Sequence, residues 1–291
     1  MTRPSSPAVI LLAVITFAGC GGGVPAAAPG SAPVPATRAA RLQDSGPLHY
    51  APGVTRYLIT QRHHVDQTLP TGDQVQEIGL RTFVTAVITG PADVRGYAIS
   101  ITIDSILADS ATLLPPGVDL AAARGLRYDA HLTVTGRLFD PRPSDPAVAK
   151  NLAQLLGGFR TFYPRLPAAG VTPGAAWSDS TANTDTTGAA VVVDRAVTHY
   201  AAGSWDDAGG ARQLGIRVTE EFTVSGSGEA GGSAFALSGT GLRSGQLSFS
   251  AGGRFLGGTT MDSAGIVITF DPQGIAVPRR QVSHTVISVL P

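Results

Sequence analysis

Apolar and polar side chains alternate at a period of two through segment after segment of this chain, a pattern that fits antiparallel β-sheet with one dry and one wet face. Tyr97, Ile99, Ile101 and Ile103 alternate with Ala98, Ser100, Thr102 and Asp104. Tyr128, Ala130, Leu132, Val134 and Leu138 alternate with Asp129, His131, Thr133, Thr135 and Arg137. The same rhythm runs through Ile78, Leu80, Val84, Ala86 and Ile88, and again through Leu214, Ile216, Val218, Phe222 and Val224. Further strands are expected over 55–66, 189–200, 233–237, 246–251, 266–270 and 282–289. About ten strands separated by glycine-rich turns argue against a βαβ fold.

Helical signals are confined to the middle of the chain. Ser144 or Asp145 as N-cap, Pro146 in the first turn, Val148, Leu152, Leu155 and Leu156 on one face, and the stop Gly157-Gly158 predict one helix. A shorter one is expected over Val118 to Arg124, and the polar stretch 178–188 reads as a mobile loop. The fold class is therefore mainly β: a large curved antiparallel sheet or open half-barrel. Its two β-halves, about 49–140 and 174–291, are joined by a short helical connection over 141–173.

The first residues set a different constraint. Arg3 is followed by the apolar run Ala8 to Phe17, too short to span a membrane, and by the small residues Ala18 and Gly19. This is the layout of a secretory signal peptide over 1–19. Phe17-Ala18-Gly19-Cys20 then resembles the bacterial lipobox, with Phe17 standing where Leu is usual. The resemblance implies acylation of Cys20, palmitate-type chains included, and a membrane anchor. Two or three acyl chains, at about 0.8 kcal/mol per buried methylene, hold stably where one is marginal. Gly21 after the cysteine, where Asp would be an inner-membrane signal, implies an outer-membrane lipoprotein facing the periplasm. Residues 20–45 beyond the signal are mostly Gly, Ala, Pro, Ser and Val and read as a disordered tether spanning about 28 Å. Residues 46–291 form a single β-rich domain with no second cysteine and so no disulfide.

Charge excludes one class of partner. With 21 basic and 21 acidic side chains there is no net charge to attract nucleic acid, while a hydrophobic fraction of 43% is ample for a core.

A further resemblance rests on Leu166-Pro167, Val171, Pro173-Gly174 and Trp177, with Ile268-Thr269-Phe270-Asp271-Pro272-Gln273-Gly274 downstream. These residues look like a family of uncharacterised bacterial envelope lipoproteins with a long curved antiparallel sheet. The arrangement is more distantly similar to periplasmic lipoprotein carriers, whose curved sheet and helical lid enclose an apolar groove. Asp271-Pro272-Gln273-Gly274 itself fits a type I turn.

Motifs for chemistry are sparse. Gly226-Ser227-Gly228-Glu229-Ala230-Gly231 matches a dinucleotide pattern, but a strand-like segment follows where a helix is needed, so it reads as a glycine-rich hairpin. His63 and His64 point to opposite faces of a strand; His64 and Asp66 share one but have no third ligand, so no metal site is expected, and the pair reads as a solvated strand edge. His131 falls on a polar face, and Asp206-Asp207 reads as a turn. Glu220 interrupts an apolar face, which requires either a cavity reaching solvent or a cationic partner. His284 lies between Val282 and Val286, and His199 is in phase with Val193 and Val197. Glu220, His199 and His284 are thus the ligand-groove candidates, with no catalytic spacing among them and no cofactor implied.

The leading expectation is a non-enzymatic envelope lipoprotein that binds an apolar small molecule or an envelope component on its sheet. Such a sheet should present a groove rich in Val, Ile, Leu and Phe, partly roofed by Val148, Leu152 and Leu155. The alternative is an assembly module that docks an envelope protein through an unguarded strand edge. A hydrolase would instead need convergent polar residues in a cleft.

Overall fold

The computed structural model describes residues 47–291 apart from 94, 111, 113, 115–117, 153–161, 188–189, 209–210, 231 and 272–273. The signal segment, Cys20 and the tether lie outside the described residues, as do Leu155, Leu156, the Gly157-Gly158 stop and the central pair of the expected turn, Pro272-Gln273.

The alternating segments become eleven strands: β1 Gly53–Leu69, β2 Gly72–Asp93, β3 Gly96–Ala108, β4 Arg127–Leu132, β5 Leu138–Pro143, β6 Ala176–Thr187, β7 Ala190–Ala208, β8 Ala211–Ala230, β9 Ser233–Ser250, β10 Phe255–Phe270 and β11 Ile275–Leu290. All pair antiparallel in one sheet ordered β5-β4-β3-β2-β1-β11-β10-β9-β8-β7-β6. Each half is a plain meander, and β1 against β11 joins them at the centre. The sheet is not closed into a barrel. Its edges are β5 and β6, adjacent in sequence and farthest apart in strand order.

Among the described residues helix is almost absent. α1, Pro146–Asn151, begins at Asp145, whose carboxylate accepts from the backbone N–H groups of Ala147 and Val148 at 2.9 and 3.0 Å. Only a single 3-10 turn, Ala121–Ala123, forms where the sequence predicts a second helix. No helix among the described residues is long and apolar enough to cross a membrane.

Two segments fold otherwise than their composition suggests. The polar stretch 178–188 reads as a loop, yet most of it belongs to β6, where Ser178 to Thr187 pair in unbroken register with β7. An edge strand needs only one partner and little apolar burial, so Ser, Thr, Asn and Asp suffice. The segments 233–237 and 246–251 are parts of one strand, β9. Its inward positions 239, 241 and 245 are glycines, which break the apolar signal without breaking the ladder. A Cβ on Gly241 would stand 2.1 Å from the Phe222 ring, and one on Gly239 2.5 Å from the Gly265 carbonyl, so neighbours occupy the space the glycines leave.

The inner face of the sheet carries three apolar clusters. The central one packs Tyr57, Ile59, Val84, Ile101, Ile216 and their strand neighbours beneath a roof. That roof is supplied from outside the sheet by Leu48, Tyr50, Phe162, Tyr163, Leu166 and Val171. Leu48 and Val171 bridge backbone to backbone at 2.8 and 3.0 Å. Aromatic rings fill the middle: Phe255 lies 5.3 Å from Phe249, 5.8 Å from Phe162 and 6.1 Å from Tyr57. Tyr50 donates its hydroxyl to the Pro164 carbonyl at 2.6 Å, and Tyr57 donates to the Phe255 carbonyl at 2.9 Å. The expectation of an open apolar groove under the helix is therefore corrected. Leu152 packs into a separate cluster with Ile78, Leu80, Ile103 and Ile106, and the chain's own aromatics fill the central face.

Candidate functional site

Between the apolar clusters, one cross-strand row of the inner face is polar. Following the register, Asp179 on β6 faces Thr198 on β7, then Glu220 on β8, Arg243 on β9, Asp262 on β10, Ser283 on β11 and His63 on β1. Adjacent positions on one face of a sheet touch, so the row becomes a chain of contacts. Thr198 donates its hydroxyl to Glu220 at 2.6 Å, and Arg243 donates to the other Glu220 oxygen at 2.5 Å. A second Arg243 nitrogen lies 3.8 Å from Asp262. Ser283 and the His63 Nδ1 share a hydrogen bond of 2.8 Å. Behind them Gln281 donates to Ser283 at 3.2 Å and accepts from Arg279 at 3.1 Å. The Arg243 guanidinium also lies 5.7 Å from the centre of the Phe222 ring.

Burial shifts these groups. Asp262, 4% exposed, has its pKa raised to about 7 because desolvation outweighs the nearby Arg243 charge. His63, 1% exposed, is pushed down to about 4 by burial and by Arg279. The two act on stability in opposite directions. An acid whose pKa is raised by folding stabilises the fold at low pH and loses that contribution as pH rises from about 4 to 7. A histidine whose pKa is depressed by folding stabilises above about 6.5 and loses that contribution as pH falls towards 4, a loss of about 3 kcal/mol for His63. Asp262→Asn is therefore expected to steepen the loss of stability on acidification from pH 7 to 4 relative to wild type. His63→Gln should do the reverse, both read from urea midpoints across that range. Slopes indistinguishable from wild type in both variants would show that neither group titrates in the folded interior.

The Asp179 end of the row opens into a cleft of about 510 Å³. Thr198, Glu220 and Arg243 lie among its lining residues with Tyr200, Val218 and Leu247. One wall comes from the β5 side through Arg137, Leu138, Phe139 and Pro141, and another from Phe162 to Arg165 of the connecting segment. The β6 edge, Asp179 to Asn183, closes the third side. Both edges of an eleven-stranded sheet line one cleft only if the sheet curls round on itself. Arg165 bridges the connection to β6: its Nε lies 3.5 Å from Asp179, and its carbonyl accepts from the Trp177 indole at 2.9 Å. Trp177 in turn stacks on Tyr200 at 5.1 Å.

The ligand-groove candidates separate. Glu220 lies on the inner face and meets both of its requirements at once, a cleft on one side and a guanidinium on the other. His199 and His284 are exposed on the opposite face, so they do not join it there, a correction to the expected grouping. His199 bonds to Ser178 at 2.7 Å, and His284 sits across from Arg62 and Met261. Both are in phase with valines, Val193 and Val197 on β7 and Val282 and Val286 on β11, that belong to the outer phase of their strands. The inner phase of β11 instead carries Arg279, Gln281, Ser283 and Thr285, all buried.

The other singled-out residues fall as follows. His63 is a buried central-strand residue and not part of a solvated edge, because β1 pairs on both sides. His64 is exposed and bonded to Glu77, with Asp66 3.1 Å away. Among the described residues no group of three or more His, Cys, Asp and Glu converges to hold a metal ion. His131 is half-buried and stacks on Phe139 at 5.2 Å. Of the glycine-rich segment, Gly226 to Ala230 lie in β8 and pair with β9, and Gly231 lies outside the described residues. Asp206 and Asp207, in place of the expected turn, lie in β7 opposite Gln213 and Arg212. Sequence reasoning missed Arg243, Asp262 and Ser283, which only the register brings into line with Glu220.

A broader, open trough of about 1080 Å³ lies chiefly on the outer face of β6 to β11, with Val197, Glu221, Leu242 and Arg280 among its lining. Most of its walls are solvent-exposed strand positions, with Ala196, Phe222 and Ala264 the buried ones, and no buried charge faces it.

No family model matches the sequence, and no curated protein matches it. Among solved structures the chain is similar to Pseudomonas aeruginosa OccK2 (OpdF), with 6% identity and a TM-score of 0.23 over 82% of this chain and 98% of that one. It is similar also to the same protein in complex with glucuronate, with 8% identity and a TM-score of 0.21 over the same shares. Scores this low carry neither a fold assignment nor a function across to this chain.

Proposed function

We propose that this chain is a non-enzymatic bacterial envelope lipoprotein, tethered through Cys20 to the outer membrane and facing the periplasm, which binds a small amphipathic ligand in the cleft between β5 and β6. One observation carries the reading: both open edges of the sheet and the connecting segment converge on a cleft of about 510 Å³ with charged side chains at its floor. Clefts of about 300–1,000 Å³ with apolar walls and a few fixed polar groups are the usual form of small-molecule sites. The convergent polar residues would also suit a hydrolase, but both Glu220 oxygens are already engaged, one by Arg243 and the other by Thr198. Binding suits the site better than proton transfer to or from Thr198.

The anchor and the cleft are tested separately. Cys20→Ser is expected to move the chain out of the membrane fraction or leave it uncleaved, because the acyl chains would be its anchor. Unchanged fractionation would mean that something other than lipid holds it. Thr181 faces the cleft from the tolerant edge strand, so Thr181→Trp should occupy the space and abolish enhancement of a polarity-sensitive fluorescent amphiphile, with little change in melting temperature. Enhancement equal to wild type would remove the cleft as the binding site.

A second reading has its own support. β6 is a twelve-residue edge strand without Pro or Lys and with no register shift against β7. β5 by contrast is six residues long and blunted by Pro141, Pro143 and Asp140 at φ 53°. A partner strand could therefore add to β6 and not to β5.

A further inference from the structure

We propose that the cleft selects an amphiphile with an anionic head, held at the mouth by Arg137 and Arg165 above a floor closed by the Glu220–Arg243 pair; this rests on the cleft being the binding site. The charge count favours it. Three guanidinium-bearing residues, Arg137, Arg165 and Arg243, line the cleft against two carboxylates, Asp179 and Glu220. The carboxylates are committed: Glu220 to Arg243 and Thr198, and Asp179 to Arg165 through Nε. Arg165 is held by Asp179, whose charge acts on it more strongly than that of Arg137, so the lining carries one guanidinium more than its carboxylates pair. An anion seated beside Arg137 and Arg165 answers that excess positive charge and gains charge-assisted hydrogen bonds.

The remaining lining suits the body of such a molecule. Leu138, Phe139, Phe162, Val218 and Leu247 offer apolar walls. A free anion would leave those walls wet, and a neutral apolar molecule would leave the excess positive charge unanswered. A ligand carrying both parts answers both halves of the lining.

Titration calorimetry of the full chain in zwitterionic nanodiscs, with empty nanodiscs as blank, tests this with laurate, lauryl phosphate, uncharged monolaurin and inorganic phosphate. Laurate or lauryl phosphate should bind at least about tenfold more tightly than monolaurin, the stronger of the two identifying the head as carboxylate or phosphate. Arg165→Gln and Arg137→Gln should each reduce that ratio several-fold, through weaker binding of the anion and not tighter binding of monolaurin, and Arg165→Lys should restore part of it. Equal binding of monolaurin, or ratios unmoved in both arginine variants, would overturn the anionic selection and leave the cleft reading standing. Inorganic phosphate binding as tightly as lauryl phosphate would overturn the amphiphile. Failure of all four probes, in wild type and Thr181→Trp alike, would remove the cleft reading itself.

Discussion

Arg243→Met is expected to cost about 3–5 kcal/mol of folding stability, among the largest losses available to a single substitution in this chain. The guanidinium stands between Glu220 and Asp262, whose side chains are 11% and 4% exposed. Methionine preserves much of the volume but leaves two carboxylates buried without a cation. The stranded charge, more than the lost ion pair, accounts for most of the cost. Two recoveries should follow. Adding Glu220→Gln removes one of the stranded charges and should restore part of the loss. Lowering the pH from 8 to 6 should also narrow the gap to wild type, since Asp262 takes up its proton near 7 even beside Arg243 and at higher pH without it. Urea unfolding of the single and double variants measures both. A cost below about 1 kcal/mol would mean that solvent reaches the row and screens it as it does a surface pair.

Phe255→Ala should cost about 3–5 kcal/mol for a different reason. Phe255 is 1% exposed and packs against Phe249, Phe162, Tyr57 and Tyr163, rings contributed by the sheet and by the connecting segment. The hydrogen bond from Tyr57 ends on the Phe255 backbone carbonyl, so truncation leaves it in place and the loss is one of packing and cavity. Because those rings hold the connection over the sheet, Phe255→Ala should also loosen the Phe162 to Arg165 wall of the cleft. Faster hydrogen exchange there than in β2 and β3 would register it. A loss confined to global stability, with exchange unchanged across that segment, would separate the roof from the cleft.

Strand phase on β3, β4 and β8 was legible because each of those strands buries one uniformly apolar set: Ile99, Ile101 and Ile103, then Ala130 and Leu132, then Leu214, Ile216, Val218, Phe222 and Val224. Glu220 stood out because it broke such a set. On β7 and β11 the signal failed, since Val193, Val197, Val282 and Val286 belong to the outer phase, while the inner phase sets Thr198, Arg279, Gln281, Ser283 and Thr285 among Ala196, Tyr200, Val277 and Ile287. There the roof and the neighbouring strands decide what is buried, and neither is visible in one strand's own sequence. β6 escaped notice because a strand paired on one side needs no apolar face. The polar row escaped because each strand contributes a single residue to it. Only the register, running through seven strands, turns Asp179, Thr198, Glu220, Arg243, Asp262, Ser283 and His63 into one feature.

Whether the cleft is occupied in the cell is the most direct question, and native mass spectrometry of the full chain, gently purified from the cells that make it, answers it. The account predicts a discrete added mass of one small amphiphile per chain, absent from Thr181→Trp prepared in the same way. A wild-type spectrum showing only the mass of the chain itself, or the same adduct on Thr181→Trp, would contradict it.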